Sequence, residues 1–303
     1  MLYTVTFNPS LDYYLKVNNM KTGAVNRAAG EKLIPGGKGI NVSLELKELG
    51  DDTVALGFVA GFTGKAILDD IAERGLKHIF LQVEGQTRIN VKIKSVAETD
   101  INGGGAIVTQ ADVDKLTAEL KPLLRPDDWL IISGSVPSSL PATAYSDFLT
   151  ALAPPQSVNV VIDASGRLLT ESLKHRPFLI KPNIFELCEI FGIPATSDTR
   201  KIAECARKLQ KRGARNVIVS MGAEGAVMVT ETDQAMYVRA ARGQLVNSVG
   251  AGDTMVAGFV HEYIRTGSYF KALNFATAAG SACAFTELLP TREQIEYVES
   301  LML

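Results

Sequence analysis

Short apolar runs alternate with longer amphipathic segments along most of the chain. In one example, the strand predicted over 129–133 contains the unbroken apolar run 129–132 and is followed by helical periodicity over 141–153. Continuous apolar runs are typical of strands buried on both faces of a parallel sheet, and helices between them supply the crossovers. Because such crossovers are right-handed, the pattern predicts an α/β fold with a doubly wound, mainly parallel sheet flanked by helices.

The same pattern predicts the remaining elements of the main body. Strands are predicted over 2–7, 53–59, 158–163, 178–181, 216–220 and 226–230, and helices over 64–74, 112–124, 201–212, 269–288 and 291–301. We find no internal repeat and no low-complexity linker. Residues 1–303 are therefore predicted to form a single domain.

Strict alternation of apolar and polar residues marks a different kind of segment near the N-terminus. It occurs in 13–34, in 78–83 and in 89–96. Alternation predicts strands with one open face. We therefore expect a small β-sheet lid that stands off the main body, with its strands within about 12–34 and 78–100.

A glycine-rich motif precedes the first clear helix. Gly36, Gly37 and Gly39 allow the backbone to approach a ligand closely, while Lys38 and Asn41 can project into the same space from the helix start. The motif is not a Walker A loop, because its glycine spacing differs and no Ser or Thr follows the lysine. The alternative is a flexible turn with a solvated lysine, which explains the motif less well.

A second motif starts a later helix. Gly250, Ala251 and Gly252 indicate a tight turn, and Asp253 falls in the first helical turn that follows. Free N–H groups and the helix dipole attract an anion at this position, and a carboxylate beside them can act as a base. Phosphoryl transfer needs both features. The alternative for these four residues alone is a simple turn followed by an acidic residue.

Several polar residues directly follow predicted strands. They are Asp12, Ser135, Asp163 and Asn183. Ligand groups of open α/β sheets gather at the carboxyl ends of the strands, so these residues are predicted to share one rim with Asp253. For Asp12 alone, a plain turn residue is the simpler interpretation.

Asn183 and Glu186 lie three residues apart at a predicted helix start. They can hold the water shell of a magnesium ion, because this ion commonly keeps most of its waters and few protein ligands. They can equally form a helix cap. Spacing alone leaves both interpretations open.

Two glycines interrupt the segment between the strands at 216–220 and 226–230. The loop that contains Ser220, Gly222 and Gly225 can lie against nucleotide phosphates through its N–H groups, or it can be a hairpin turn. Asn274, on the next-to-last predicted helix, can border a nucleotide base, although helix packing also explains its position.

Composition narrows the function classes. The chain has 303 residues, 46% of them hydrophobic and 21% charged, and a net charge of −2, so charge gives no reason to expect nucleic acid or an anionic membrane as a partner. The N-terminal sequence lacks the pattern of a signal peptide. The three cysteines, Cys188, Cys205 and Cys283, are far apart and are expected to be buried thiols. We therefore expect a cytoplasmic protein.

Taken together, the motifs resemble one family. The sequence over 6–291 resembles the phosphofructokinase-B branch of the ribokinase-like sugar kinases, and the signatures that carry the resemblance are 36–41 and 247–253. This resemblance implies a ribokinase-like fold and ATP-dependent phosphorylation of a sugar. It also implies that Asp253 is the catalytic base, with Gly250, Ala251 and Gly252 around the anion hole.

The resemblance further implies ligands for each substrate. Asp12, Gly37 and Asn41 would hold the sugar, and Arg88 would bind its phosphate, assisted by Lys38 and by Arg27 as a second arginine. The residues expected to border ATP are Ser220, Gly222, Gly225 and Asn274. Asn183 and Glu186 would bind Mg²⁺ through water. Members of the family often form homodimers through the lid.

Within this branch, the segments 8–12 and 87–92 are similar to 1-phosphofructokinases and, almost equally, to tagatose-6-phosphate kinases. The resemblance therefore implies phosphorylation of fructose 1-phosphate to fructose 1,6-bisphosphate, with tagatose 6-phosphate as the alternative substrate. A non-catalytic sugar-phosphate sensor on the same fold is a further alternative, although a sensor has no need of Asp253.

Overall fold

The computed structural model describes residues 1–302 as two sheets with helices around the larger one. The strands are β1 (Leu2–Thr6), β2 (Ser10–Lys16), β3 (Gly30–Gly36), β4 (Thr53–Val59), β5 (Lys77–Gln82), β6 (Arg88–Lys94), β7 (Thr99–Asn102), β8 (Trp129–Ser133), β9 (Asn159–Asp163), β10 (Leu179–Ile180), β11 (Asn216–Ser220), β12 (Ala226–Val229) and β13 (Ala235–Val238). The helices are α1 (Lys38–Glu48), α2 (Gly61–Glu73), α3 (Gln110–Leu120), α4 (Ala144–Leu152), α5 (Gly166–Ser172), α6 (Ile184–Phe191), α7 (Thr199–Lys211), α8 (Ala251–Thr266), α9 (Tyr269–Ala284) and α10 (Arg292–Ser300).

The main sheet has nine strands in the order β13-β12-β11-β10-β9-β8-β1-β4-β5. All neighbouring strands from β5 to β11 pair in parallel, whereas β12 pairs antiparallel with both β11 and β13. The predicted doubly wound parallel sheet is therefore confirmed. Its carboxyl edge brings together the residues that follow β1, β8, β9, β10 and β11, as expected for an open α/β sheet.

Two hydrophobic cores cover the two faces of this sheet. On one face Val5 packs with Phe148 of α4, and on the other Ile131 packs with Leu46 of α1 and Phe259 of α8. Burial on both faces explains why these strands are continuous apolar runs in the sequence. The three cysteines are free and buried, as expected. Within residues 1–302, no helix has the length and apolar character needed to cross a membrane.

The lid is a four-stranded sheet in the order β3-β2-β6-β7. The prediction that 78–83 belongs to it was wrong, because β5 pairs in parallel with β4 at the edge of the main sheet. Strand β5 is the edge strand of the main sheet, and its apolar residues are only partly buried, with Ile79 and Leu81 packed against one core and Phe80 against another. The fourth lid strand is β7, which pairs with β6. Asp12 lies within β2 and not in a turn.

Candidate active site

The start of α8 presents unpaired backbone donors at the carboxyl edge of the main sheet. Gly250 precedes this helix in the left-handed region, with a φ of 89° that favours glycine. Thr254 N–H donates to Gly250 O at 2.8 Å, whereas the N–H groups of Gly252 and Asp253 have no acceptor within residues 1–302. With the helix dipole, these two donors form an anion site.

A buried ion triad lies against this helix start. Asp163 forms an ion pair with Lys181 at 3.2 Å and accepts a hydrogen bond from Lys38 at 3.1 Å. A Cβ on Gly252 would lie 3.1 Å from Lys181 Nζ, so the ammonium group of Lys181 lies beside the anion site. Burial acts to raise the pKa of Asp163, but the two ammonium groups outweigh it and lower that pKa. The carboxylate thus stays ionised and holds both lysines in place.

Sequence analysis placed Asp163 at the rim without assigning it a task, and it gave Lys181 no role. The available signal was a lysine at the end of a predicted buried strand, two residues before Asn183. An ionised side chain in such a position requires a partner, because an unpaired buried charge is highly unfavourable. The sequence could not identify that partner, because β9 and β10 become neighbours only in the folded sheet.

Asp253 is buried and has the properties of a base. Burial raises the pKa of Asp253 to about 6, while the positive charge of Lys38 opposes this rise. Asn41 Nδ2 donates to Asp253 Oδ2 at 2.8 Å. Asn41, predicted to bind the sugar, therefore also orients the base, and its own amide oxygen has no partner in the described chain. A carboxylate with a pKa near 6 is ionised at neutral pH and can still accept a proton.

Asp12 is held on the inner face of the lid. Its Oδ1 accepts from Ser10 Oγ at 2.7 Å and from Asn90 Nδ2 at 2.8 Å. Because both donors bind Oδ1, Oδ2 is free of side-chain partners among residues 1–302, and it lies beside Gly36, where a Cβ would come within 2.7 Å. The arrangement leaves one fixed acceptor for a sugar hydroxyl. Sequence reasoning missed Ser10 and Asn90.

Arg88 begins β6 and is half-buried near the base of the lid. Its Nη2 donates to Asn8 O at 3.0 Å, while its buried Nε has no partner in the described chain. Burial lowers the pKa of Arg88, and the charge of Asp12 opposes this shift. A buried donor without an acceptor is unfavourable unless a ligand satisfies it. The unpaired Nε is therefore suited to a phosphate oxygen.

The other two predicted cations differ in their surroundings. Lys38 is 41% exposed and is held by Asp163 close to Asp253, so the pKa of Lys38 is raised, chiefly by Asp163. Arg27 lies in the exposed connection between β2 and β3 and makes no hydrogen bond or ion pair within residues 1–302. Its role as a second phosphate ligand stays a prediction.

Asn183 and Glu186 form a capping box at the start of α6. Asn183 Oδ1 accepts from Glu186 N–H at 2.9 Å, and Glu186 Oε2 accepts from Asn183 N–H at 2.8 Å. The capping interpretation is thus confirmed. Glu186 Oε1 makes no bond within residues 1–302, so one carboxylate oxygen is available to a hydrated magnesium ion.

The loop after β11 is the turn of an antiparallel hairpin. Ser220 ends β11 and bridges to Asn183, which places it at the same rim. Gly222 has open space where a Cβ would be, whereas a Cβ on Gly225 would lie 2.0 Å from Val238 O. The packing of the hairpin therefore requires a glycine at position 225. A role in nucleotide binding is not needed to explain why this residue is glycine.

The prediction for Asn274 was wrong. Its Nδ2 donates to Glu299 Oε1 on α10 at 3.2 Å. The thiol that lies close to the start of α8 is that of Cys283, because a Cβ on Gly250 would be 3.5 Å from its Sγ. Nine helical residues separate Asn274 from Cys283, or roughly 13 Å. Helical periodicity identified the helix but not which of its turns meets the site.

Comparison with known proteins agrees with this geometry. The 1-phosphofructokinase of Bacillus subtilis is 41% identical over 296 residues, covering 98% of this chain and 96% of the relative. The D-tagatose-1-phosphate kinase of Bacillus licheniformis is 34% identical, covering 99% and 98%. Phosphofructokinase-2 of Escherichia coli, solved with substrates and products, has a TM-score of 0.92 at 24% identity and covers 99% of each chain.

The family model for pfkB carbohydrate kinases matches residues 6–289. This range includes both glycine motifs, Arg88 and Asp253. The structural similarity to phosphofructokinase-2 confirms the fold that the two signatures implied. The chain belongs to the pfkB family of carbohydrate kinases.

Proposed function

We propose that this kinase transfers the γ-phosphoryl group of ATP to fructose 1-phosphate and forms fructose 1,6-bisphosphate. The observation that carries the proposal is the buried carboxylate of Asp253 beside the unpaired N–H groups at the start of α8. The name of the Bacillus subtilis relative supports the choice of sugar. With the phosphate at C1 of the ketose, the accepting hydroxyl is the primary one at C6.

Each group has a defined task in this reaction. Asp253 takes the proton of the C6 hydroxyl while the oxygen of that hydroxyl attacks the γ-phosphorus. The bond from the γ-phosphorus to the β–γ bridging oxygen breaks, and this oxygen leaves with ADP. The N–H groups of Gly252 and Asp253, together with Lys181, stabilise the charge on the phosphoryl oxygens. Arg88 and the free oxygen of Asp12 hold the phosphate and the hydroxyls of the sugar.

Tagatose 1-phosphate is the second candidate substrate, because the Bacillus licheniformis relative carries that name. It shares the C1 phosphate and the C6 hydroxyl with fructose 1-phosphate and differs at one hydroxyl. Tagatose 6-phosphate, implied by the motif resemblance, stays a prediction. Its phosphate occupies the position that the proposed reaction phosphorylates.

A coupled assay of ADP release tests this assignment. The chain is assayed with ATP, Mg²⁺ and, in turn, fructose 1-phosphate, tagatose 1-phosphate, tagatose 6-phosphate and fructose 6-phosphate. We expect the highest kcat/KM for fructose 1-phosphate. A higher value for any other sugar phosphate would reassign the substrate. Absence of turnover with all four, combined with calorimetric binding of one, would identify a sensor.

Magnesium binding is proposed to involve Glu186. Within residues 1–302 no cluster of three or more His, Cys, Asp or Glu side chains has the arrangement of a metal site. Mg²⁺ is commonly held by substrate phosphates and water with few protein ligands, and we propose the same here. The free Oε1 of Glu186 would accept a hydrogen bond from one of these waters. The ion would neutralise charge on the transferred phosphoryl group.

Substitution of Glu186 by Gln separates capping from metal binding. Gln preserves the capping box but removes the negative charge. We expect unchanged thermal stability and an increase of about 10-fold or more in the Mg²⁺ concentration needed for half-maximal activity. Titration of activity with Mg²⁺ at fixed ATP measures this. An unchanged Mg²⁺ requirement would limit Glu186 to its capping role.

We further propose that two chains associate through the outer face of the lid. On that face Leu33, Tyr13, Val91 and Ile101 pair across β3, β2, β6 and β7 and form one apolar row. Leu33 and Ile101 are each 57% exposed. A contiguous exposed apolar row on a lid is typical of an interaction surface.

The double variant Leu33→Lys/Ile101→Lys tests this interface. We expect the unaltered chain to sediment as a dimer and the variant as a monomer, because two buried ammonium groups without partners would be strongly unfavourable. The control is Ile264→Lys, which places a lysine at an exposed apolar position on α8. A variant that sediments like the unaltered chain would exclude the lid from the interface.

The reducing interior of the cell is the proposed location. Its support is the state of the cysteines, since Cys188, Cys205 and Cys283 are free and buried. Disulfides are typical of oxidising compartments, and none forms among these three residues.

A further inference from the structure

One buried carboxyl group takes no part in the site described above. Glu45 lies on α1 and is fully buried, and neither of its carboxylate oxygens has a hydrogen-bond partner within residues 1–302. An ionised carboxylate in such surroundings is strongly unfavourable, so the group takes up a proton instead. Burial, and to a lesser extent the charge of Glu48, raises the pKa of Glu45 to about 8. Glu45 is therefore mainly a neutral acid at pH 7.

Glu45 lies close to the base through its helix. It follows Asn41 by four residues and so occupies the same face of α1, one turn further along. That face meets α8, because Asn41 Nδ2 donates to Asp253 Oδ2 at 2.8 Å. One turn beyond Glu45, Leu49 packs against Phe275 and its neighbours on α9. Glu45 therefore lies where α1, α8 and α9 meet, below the contact that orients Asp253.

The junction contains two other polar groups with poor partners. Thr254 Oγ is buried and has no hydrogen-bond partner of good geometry, although its hydroxyl is near enough to lower the pKa of Cys283. Burial, with the charges of Glu45 and Asp253, raises the pKa of that thiol to about 12. Within residues 1–302 the one hydrogen bond that the Cys283 thiol donates is weak, at 3.6 Å to Val249 O. Among these residues the junction offers an ionised Glu45 no cation and no strong donor.

The other titratable groups on and around α1 do not supply a partner for an ionised Glu45 within residues 1–302. Glu48 lies on the same helix, Asp253 and His261 lie on α8, and Cys283 lies on α9. His261 is engaged at 2.8 Å by Asp51. Strands β1, β4 and β8 of the main sheet pack against α1. Neither β4 nor β8 carries a titratable side chain, and Tyr3 of β1 packs in the core on the opposite face of the sheet.

We propose that Glu45 is a positioning residue. Its neutral form allows α1 to pack against α8 and so maintains the hydrogen bond from Asn41 to Asp253. Its ionisation in alkaline solution weakens that packing and that hydrogen bond. The proposal rests on the proposed function for its effect on turnover. Because a buried charge without a partner forces either rearrangement or entry of water, the ionised form weakens the α1–α8 packing. Glu45 then sets the alkaline limit of activity, whereas Asp253 sets the acid limit.

Kinetics across pH test the effect on the base. Turnover of fructose 1-phosphate is measured from pH 5.5 to 10 for the unaltered chain, Glu45→Gln and the control Glu48→Gln. Gln reproduces the shape of the neutral acid but cannot ionise. We expect the alkaline fall in kcat, centred near pH 8, to move up by at least one pH unit in Glu45→Gln only. KM for ATP at pH 7 should stay within about 2-fold.

Two results would overturn the proposal. One is an alkaline fall with the same midpoint in Glu45→Gln as in the unaltered chain. The other is a loss of turnover at pH 7 in Glu45→Gln of tenfold or more, because the neutral form would then not be the one that supports catalysis.

Unfolding measurements test the neutral state independently of any substrate. The folded pKa is raised above the unfolded value of 4.5, so the unfolded chain ionises first as pH rises. The free energy of unfolding therefore falls between about pH 4.5 and 8 and levels off above that range. We expect this fall, followed by urea midpoints, to be smaller in Glu45→Gln and Glu45→Leu than in Glu48→Gln.

An equal pH dependence in all variants would mean that Glu45 is ionised in the folded chain, and the proposal would fail. If Glu45→Leu does not fold, the Gln variant decides alone. If the chain were inactive on every sugar phosphate, the unfolding data would still show whether Glu45 is protonated in the folded chain. Failure of the proposed function can therefore be distinguished from failure of the proposal for Glu45.

Discussion

Replacement of Asp253 by Asn is expected to lower kcat by about 10²- to 10⁴-fold, the usual contribution of a positioned base. Asn has the shape of Asp and can keep the contact with Asn41, so the fold should be preserved. The unpaired N–H groups of α8 and the ammonium group of Lys181 also remain. We therefore expect KM for ATP to change by no more than about 2-fold. Steady-state kinetics with fructose 1-phosphate measure both parameters.

The pH dependence of the same variant supplies a second readout. In the unaltered chain kcat should rise as pH passes through about 6, because the pKa of Asp253 is raised to about 6 and only the ionised form accepts a proton. The Asn variant should lack this limb. Asp69→Asn is a matched control, since Asp69 lies on the exposed side of α2. Full turnover in Asp253→Asn would exclude Asp253 as the base.

Replacement of Arg88 by Ala is expected to raise KM for fructose 1-phosphate by roughly 100-fold, because hydrogen bonds to a charged partner contribute about 1.5–3 kcal/mol each. KM for ATP should stay near its original value, since Arg88 lies at the base of the lid. Arg88→Lys keeps the charge but loses the planar fork, and it should restore only part of the affinity. Kinetics with each substrate varied in turn separate these effects.

Arg27→Ala is the informative comparison for Arg88. Arg27 makes no hydrogen bond or ion pair within residues 1–302, so its removal tests whether the lid connection contributes a second phosphate ligand. A rise in sugar KM for Arg27→Ala alone, with Arg88→Ala unchanged, would transfer the phosphate role to Arg27. Unchanged kinetics in both would place the phosphate elsewhere in the cleft.

The two glycine motifs act at different places in the cleft. The motif at 36–41 begins α1, and Asn41 in this motif donates a hydrogen bond to Asp253, the candidate base. The motif at 250–253 contains the N–H groups of the anion site. The lid adds Asp12 and Arg88 from β2 and β6. In the proposed reaction the start of α8 performs the phosphoryl transfer, and the inner face of the lid selects the sugar.

Asn41 and Glu186 illustrate how far sequence reasoning reached. Their positions at helix starts followed from glycine turns and apolar periodicity, and both lie where they were expected. Their partners did not follow. Asn41 donates to Asp253, which is 212 residues away in the chain, and Glu186 uses one oxygen in its own helix cap. Local sequence patterns identify a side chain that can form hydrogen bonds, but only the fold identifies its partner.

The errors have similar causes. The strand β5 was assigned to the lid because a strand at the edge of the main sheet is only partly buried, as a lid strand is. Asn274 was placed at the nucleotide because helical periodicity cannot tell one turn of α9 from another. In both cases the pattern correctly indicated the type of element, and its neighbours were decided by packing.

By itself the sequence determined the α/β class and the helix starts at Gly37 and Gly250, and it singled out Asp253 as the candidate base. These features depend on short-range physics: burial periodicity, the conformational freedom of glycine and the dipole of a helix. The Lys181–Asp163–Lys38 triad, the fixed orientation of Asp12 and the buried acid Glu45 were decided only by the tertiary structure. Each depends on which strands and helices become neighbours, and the order of crossovers decides that for residues far apart in the chain, such as Lys38 and Asp163.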